Sequence, residues 1–236
     1  MTKILEIKGV TGGYVQGVDI LRNISLDLFQ GEAVGVIGLN GSGKSTLGKA
    51  VMNMLPYCKG EILFDCQPVM HLPACELSRS GIAIMQQGGQ VFHNLSVWEN
   101  WKLAADTQKD FCYLSELAEM IPLIKEAQRM PQSRMADRLS GGQRHQLALA
   151  MSLARKPRLL ILDEPSAGLS PKATDEMYGI LQEIRIRLNM TILLIEQNIN
   201  KAIGFCDRCL LLKRGNVAHY FKNKNLSEIE KVMFEK

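Results

Sequence analysis

No stretch of this chain approaches the roughly 20 consecutive apolar residues needed to cross a bilayer, so no membrane span is expected. The opening residues Met1-Thr2-Lys3-Ile4-Leu5-Glu6 become charged before any apolar core develops, and a secretory signal is not expected either. Charge of one sign is missing as well. The 28 basic and 24 acidic residues, spread along 236 positions, leave a net +4 without the block or stripe of a nucleic-acid binder. There are six cysteines, but only Cys206 and Cys209 have C-x-x-C spacing, and no second pair lies at zinc-site distance. The Asp207-Arg208 between them resembles no redox motif, so free thiols in a reducing cytosol are expected. Neither an internal repeat nor a low-complexity linker interrupts the chain. Its 46% hydrophobic content is ample for a packed core.

What is present is a phosphate-binding loop. Gly38-Leu39-Asn40-Gly41-Ser42-Gly43-Lys44-Ser45 fits G-x-x-x-x-G-K-[ST] in every fixed position. Ala33-Val34-Gly35-Val36-Ile37 ahead of it suits a buried parallel strand, and Thr46 to Leu55 behind it reads as a helix stopped by Pro56. Glycines let backbone N–H groups turn inward around an anion, and the helix N-terminus adds partial positive charge at the same point. Lys44 is placed to reach the β- and γ-phosphates of a nucleotide, and the Ser45 hydroxyl to ligate Mg²⁺.

Upstream, Ile4 to Lys8 and Ile20 to Leu28 read as strands, the second with Ile24, Leu26 and Leu28 alternating with Ser25 and Asp27. Tyr14, after Gly12-Gly13, is either a packing residue at a turn or a base-stacking platform. Gly60 to Phe64 gives another strand, and Gly81 to Met85 a core strand running into Gln86-Gln87-Gly88-Gly89, a suitable place for a site residue. From Leu95 to about Lys156 the pattern turns helical, with Leu114, Leu117, Ala118 and Ile121, then Leu147, Ala150, Met151 and Leu153, at helical spacing. Trp98 and Trp101 share a helix face; burial in this unit is expected, with a partner-binding surface as the alternative. Arg129 to Ser133 reads as a loop.

Two further motifs carry chemistry. In Leu139-Ser140-Gly141-Gly142-Gln143, Ser140 is an N-cap ahead of a helix running from about Gln143 to Arg155, and small residues at an exposed helix start invite an anion. Leu159-Leu160-Ile161-Leu162 is a buried strand delivering Asp163 and Glu164 at its C-terminal end, where ligands of open α/β sheets collect. Asp163 suits the Mg²⁺ shell, and Glu164 suits activation of an attacking water. Ser166 to Pro171 turns into another helix. Thr191 to Ile195 is a buried strand ending at Glu196-Gln197, and Leu210 to Leu212 makes a last one. In the tail, Leu226, Ile229, Val232 and Met233 share a helical face, with Ser227 and Glu230 as a capping box.

These residues resemble the ATP-binding subunits of ABC transporters. The resemblance spans nearly the whole chain, because the P-loop, the Leu139–Gln143 signature and the Leu159–Glu164 strand stand in the family's order and spacing. It implies an α/β fold: a P-loop NTPase (RecA-like) core, an N-terminal antiparallel β subdomain and a helical signature subdomain. Residues 1–87 with 156–221 would form the core and β subdomain, 88–155 the helical subdomain and 222–236 the tail. ATP and Mg²⁺ would be bound, with Tyr14 stacking on adenine and Gly38, Asn40, Gly41, Ser42, Gly43, Lys44, Ser45 and Thr46 around the phosphates. Gln87 would sense the γ-phosphate and Mg²⁺, beside metal ligands Ser45 and Asp163. Ser140, Gly141, Gly142 and Gln143 would close over ATP held by a second ABC ATPase subunit. Lys44, Gln87, Glu164 and Gln197 would form the catalytic set. Integral membrane permease subunits are the further partners implied, at the cytoplasmic face of the cell membrane.

Departures from the family pattern narrow the likeness. Gln197 stands where many members have histidine, and Ser170 where many have aspartate. A glutamine can donate a hydrogen bond to a phosphate but cannot take up a proton. Ile195-Glu196-Gln197-Asn198, Gly168-Leu169-Ser170-Pro171 and Asn94-Leu95-Ser96-Val97 are similar to the smaller ATPase of branched-chain amino acid importers, whereas Gln143-Arg144-His145 differs from the Glu-Gln-Gln usual there. The expectation is an energy-coupling ATPase of such an importer. Urea, amide or lipid transport, or a soluble iron-sulfur assembly role, are the alternatives.

Overall fold

Burial on both faces makes Ala33–Ile37 a central strand: all five residues are buried, and each large aliphatic side chain so placed contributes about 1.5–3 kcal/mol. The computed structural model describes residues 2–105, 108–128, 133–221, 229 and 231–232, with the backbone alone for 108–112. In chain order it contains β1 (Lys3–Gly13), β2 (Leu21–Phe29), β3 (Ala33–Ile37), α1 (Lys44–Val51), β4 (Tyr57–Phe64), β5 (Gln67–Pro68), α2 (Ala74–Ser80) and β6 (Ile82–Met85). Four α-helices follow, α3 (Val97–Ala104), α4 (Gln108–Met120), α5 (Pro122–Ala127) and α6 (Gly141–Leu153), with a 3-10 turn at Ala136–Arg138 before the last. The chain continues through β7 (Leu159–Asp163), α7 (Pro171–Leu188), β8 (Thr191–Glu196), α8 (Ile199–Phe205), β9 (Arg208–Lys213) and β10 (Asn216–Phe221). It divides into two units, Met1–Leu77 with Met190–Lys236, and Ser78–Asn189.

The first unit has two sheets. One is antiparallel, in the order β2-β1-β4-β5. In the other, β3 is flanked by parallel β8 and β9, and β10 folds back on β9. The start of β3 is pinned where Asp207 accepts from the Ala33 N–H at 2.9 Å, next to the Arg208–Glu32 pair at 2.6 Å. Because Ile37 is in register with Glu196, the loops after β3 and β8 leave the sheet at one level.

In the second unit β6 and β7 are parallel, Met85 opposite Leu162, so Gln86-Gln87 and Asp163-Glu164 leave the same end. Its helices enclose an apolar cluster of Val97, Leu123, Ala127, Ala136, Leu139 and Leu147. Leu114, Leu117, Ala118 and Ile121 are buried, as their spacing predicts. The tryptophans divide: Trp101 is 1% exposed and Trp98 half-buried.

Several boundaries differ from the sequence expectation. The strand read as Ile4 to Lys8 continues to Gly13, because bulges between Ile7 and Val10 break the period-two pattern without ending the ladder. The helix read to Leu55 stops at Val51: Asn53 turns left-handed at φ 50° and its amide donates to the carbonyls of Met70 and Leu72. Strand β4 begins at Tyr57 rather than Gly60, and β5, α2, α8 and β10 are additional. Cys58, Cys66, Cys75, Cys206 and Cys209 are free thiols. Among the described residues no helix is long and apolar enough to cross a membrane. In the tail Ile229 is buried. Residues 129–132 of the expected loop, and Leu226, Ser227, Glu230 and Met233 of the expected tail helix, lie outside the described residues.

Candidate functional site

The P-loop is built in the first unit by the turn from β3 into α1. A Cβ on Gly38 would fall 2.4 Å from the Leu212 carbonyl oxygen, so only glycine lets the loop pass this close to β9. Gly43, at φ 105°, occupies the N-cap of α1 with no side-chain capping bond and no acidic residue in the first turn. By contrast α3, α6, α7 and α8 are each capped by a side chain, from Ser96, Ser140, Ser170 and Asn198. The N–H donors and positive dipole end of α1 are therefore offered to an anion.

Lys44 is 5% exposed, and its ammonium donates to the carbonyls of Gly38 at 3.0 Å and Leu39 at 3.1 Å. This folds the loop around the Lys44 ammonium. The Ser42 hydroxyl is buried without a hydrogen-bond partner, an orphan that a phosphate oxygen or its water would satisfy. Both observations fit a nucleotide phosphate. Ser45 and Thr46 lie in the first turn of α1, and Asn40 and Gly41 beside a cavity of about 250 Å³. Tyr14, 43% exposed, has the Lys49 ammonium 5.3 Å from its ring centroid, so the ring stands beside the helix that starts in the P-loop. Gln197, one residue past β8, is exposed; the Glu196 carboxylate accepts from the N–H groups of Gln197 and Asn198, both at 2.9 Å, and fixes the turn that presents it.

The second unit gathers the remaining residues. The Gln87 amide donates to the Glu164 carboxylate at 2.8 Å, as the β6–β7 register dictates. Glu164 has φ 47°, in the left-handed region that a non-glycine residue enters at a cost of about 1–2 kcal/mol. Asp163 ends β7 at 5% exposure. A serine hydroxyl such as Ser45 and a carboxylate such as Asp163 are hard oxygen donors, the chemistry suited to Mg²⁺ with substrate phosphates and water.

The signature starts α6. The Ser140 hydroxyl accepts from the Gln143 N–H at 3.2 Å and the Gln143 side chain accepts from the Ser140 N–H at 3.1 Å, a reciprocal capping box. Ser140, Gly141, Gly142 and Gln143 line a cavity of about 620 Å³ together with Gly168 and Ser170. Ser170 caps α7 by accepting from Ala173 N–H at 3.4 Å. A second groove of about 370 Å³ lies beside the Gln87 loop, walled by Met85, Gln86, Val91, Phe92, Ala104 and Met151.

Two residues of this region escape motif reading. Asn100 is fully buried; its oxygen accepts from Phe92 N–H at 2.8 Å and its amide donates to the carbonyls of Phe92 and Ser96, holding the groove wall. An amide between two tryptophans on a helix is the available signal. His145 is visible in the sequence only as a departure beyond the signature.

The family model for ABC transporters matches residues 21–167, from β2 to just past the acidic strand. The chain belongs to the ABC transporter family. It is 36% identical over 233 residues to a protein of Archaeoglobus fulgidus named as a probable branched-chain amino acid transport ATP-binding protein, LivF, covering 99% of this chain and 97% of that one. It is 33% identical over 207 residues to the high-affinity branched-chain amino acid transport ATP-binding protein BraG of Pseudomonas aeruginosa, covering 86% and 87%. It is 30% identical over 224 residues to the lipopolysaccharide export ATP-binding protein LptB of Escherichia coli, covering 91% and 89%. A dimeric post-hydrolysis ATP-binding cassette with ADP and phosphate superposes with a TM-score of 0.79 at 25% identity, over 93% of this chain and 99% of that one. This ABC protein has the P-loop NTPase fold with antiparallel and helical additions. It binds ATP and is the ATPase of a transporter.

Proposed function

We propose that this ABC ATPase drives import of branched-chain amino acids. The reading is carried by the end-to-end likeness to LivF, 36% over 99% of this chain, against 30% for the lipid-exporting relative. Lys44 and the α1 N-terminus hold the phosphates and Tyr14 stacks on adenine; Ser45 and Asp163 would be the ligands of Mg²⁺, which would supply positive charge to the transferred phosphoryl group. Glu164 orients and activates the attacking water, Gln87 reports on the γ-phosphate and metal, and Gln197 donates a hydrogen bond to the γ-phosphate. Gln87's bond to Glu164 supports joining those two roles.

Ser140 to Gln143 close the ATP of a second ABC ATPase subunit, identical or paired. The Ser140 hydroxyl accepts from Gln143 and retains its own O–H for donation to phosphate. Residues 1–87 with 156–221 act as the catalytic core and 88–155 as the lever. The groove at Met85, Phe92 and Met151 receives an integral membrane permease, at the cytoplasmic face of the membrane.

The test is transport. The chain, purified with its membrane partners and placed in proteoliposomes, is expected to drive ATP-dependent uptake of labelled leucine, isoleucine and valine in preference to urea. Lys44→Ala is expected to lower both uptake and phosphate release by at least about 100-fold. ATPase activity without branched-chain uptake would overturn the cargo, and an active Lys44→Ala protein the nucleotide site. Lipid export, suggested by the LptB likeness, would appear instead as ATP-dependent lipid extraction.

A further inference from the structure

His145 lies one turn into α6, 5% exposed, with its Nδ1 2.9 Å from the Gly141 carbonyl oxygen. A carbonyl only accepts, so Nδ1 carries the proton and donates to the carbonyl of the first signature glycine. The other ring nitrogen, Nε2, is buried without a hydrogen-bond partner. A side chain held this way forgoes a hydrogen bond that a leucine would not need, which makes simple core filling a poor account of the choice of histidine.

A second neighbour bears on its position. Gly89, two residues after Gln87, sits at φ 59°, and a Cβ placed on it would fall 2.9 Å from His145 Cγ and Nδ1 and 3.0 Å from its Cα. The loop backbone is therefore pressed directly onto both the ring and the main chain of α6. In one direction the loop leads back to Gln87 and its 2.8 Å bond to Glu164; in the other the ring is tied to Gly141.

Given the roles proposed above for Gln87 and the signature, we infer that His145 is a positioning residue that registers the Gln87 loop on the signature helix, so that displacement of the signature moves Gln87 at Glu164. At 5% exposure it acts through Gly89 and Gly141. Its contribution is to keep two functional segments from moving independently, through one hydrogen bond and one close backbone contact.

The test compares kcat and KM for ATP in the purified full chain for His145→Ala, His145→Asn and Gly89→Ala, with melting temperatures measured in parallel. His145→Ala is expected to lower kcat about tenfold with KM within about twofold, since a misplacement near 1 Å at a catalytic group costs that much or more. His145→Asn is expected to recover most of kcat, because an asparagine amide reaches the carbonyl four residues back, as Asn100 does to Ser96 at 3.0 Å in α3. Gly89→Ala is expected to lose kcat like His145→Ala. The assignment fails if His145→Ala keeps kcat within about twofold, or if His145→Asn lowers kcat and melting temperature as much as alanine does, the mark of packing alone. Should His145→Ala not fold, the other two variants decide: retained kcat in His145→Asn with loss in Gly89→Ala supports the role, and wild-type kcat in Gly89→Ala overturns it. Lys44→Ala separates this from the site reading: if it is inactive while His145→Ala is unaffected, only the positioning role falls.

Discussion

Gln197 is exposed, one residue beyond a fully buried strand, and its backbone N–H is held by Glu196 at 2.9 Å. An amide in that position can donate to a phosphate oxygen but cannot take up a proton at neutral pH. In the role proposed above its contribution to turnover is electrostatic, and a preorganised donor of this kind is worth about 2.7–4 kcal/mol at a developing anion. Gln197→Ala is expected to lower kcat about 100-fold while leaving ATP affinity near that of the wild type, as read by steady-state phosphate release and by nucleotide titration. Weaker ATP binding with unchanged kcat would instead make Gln197 a ground-state contact. Glu164 has a left-handed backbone, and the turn closed by Ala167 N–H on the Glu164 carbonyl at 3.0 Å helps keep it there.

Two helices in the second unit begin with the same device. In α3 the Ser96 hydroxyl accepts from Glu99 N–H at 3.2 Å and the Glu99 carboxylate accepts from Ser96 N–H at 2.7 Å; Ser140 and Gln143 do the same for α6. The Ser96 backbone N–H, then its hydroxyl, hold the Glu99 carboxyl below the usual carboxylate range. Local energetics being alike, Ser96→Ala and Ser140→Ala are each expected to cost about 1 kcal/mol of stability. Only Ser140→Ala is expected to impair ATPase as well, since only that serine is proposed to meet a nucleotide. Melting and turnover measured on both separate cap from site, and equal ATPase loss in the two would remove Ser140 from the site. At this scale the sequence was informative where one signal dominated. The unbroken apolar run of β3 gave its limits residue for residue, and Ser140 as a cap was readable from the residues after it. Pairing partners and turns decided the rest: β10 folds back through Arg214-Gly215, at φ 50° and 79°, a turn without the Asn-Gly that usually announces it. Helix α1 ends because Asn53 finds carbonyls at Met70 and Leu72, nearly twenty residues away. The Gln87–Glu164 bond likewise depends on the β6–β7 register, which no local pattern specifies.

For the whole molecule, the division into two units assigns the P-loop, Tyr14 and Gln197 to one and Gln87, the signature and the acidic pair to the other. A single chain offers one P-loop and one signature, and a dimeric cassette with ADP and phosphate is among the solved structures it resembles. Glu164→Gln keeps the shape of the side chain and an oxygen to accept from Gln87 while removing the charge proposed to activate water. In ATP and Mg²⁺ this variant is expected to accumulate as a dimer in light scattering with phosphate release lowered at least about 100-fold, and to return to monomer when Mg²⁺ is chelated. A variant that stays monomeric under those conditions argues against closure of one chain's nucleotide by another's signature. The distribution of aromatic residues gives the two units different optical properties. The chain's two tryptophans, Trp98 and Trp101, both lie on α3 of the second unit, Trp101 with its indole N–H buried and unpartnered. Intrinsic tryptophan emission, excited apart from tyrosine, therefore originates wholly within residues 78–189, so a change in it on adding ATP is an optical record of the nucleotide's effect on the unit that carries the signature.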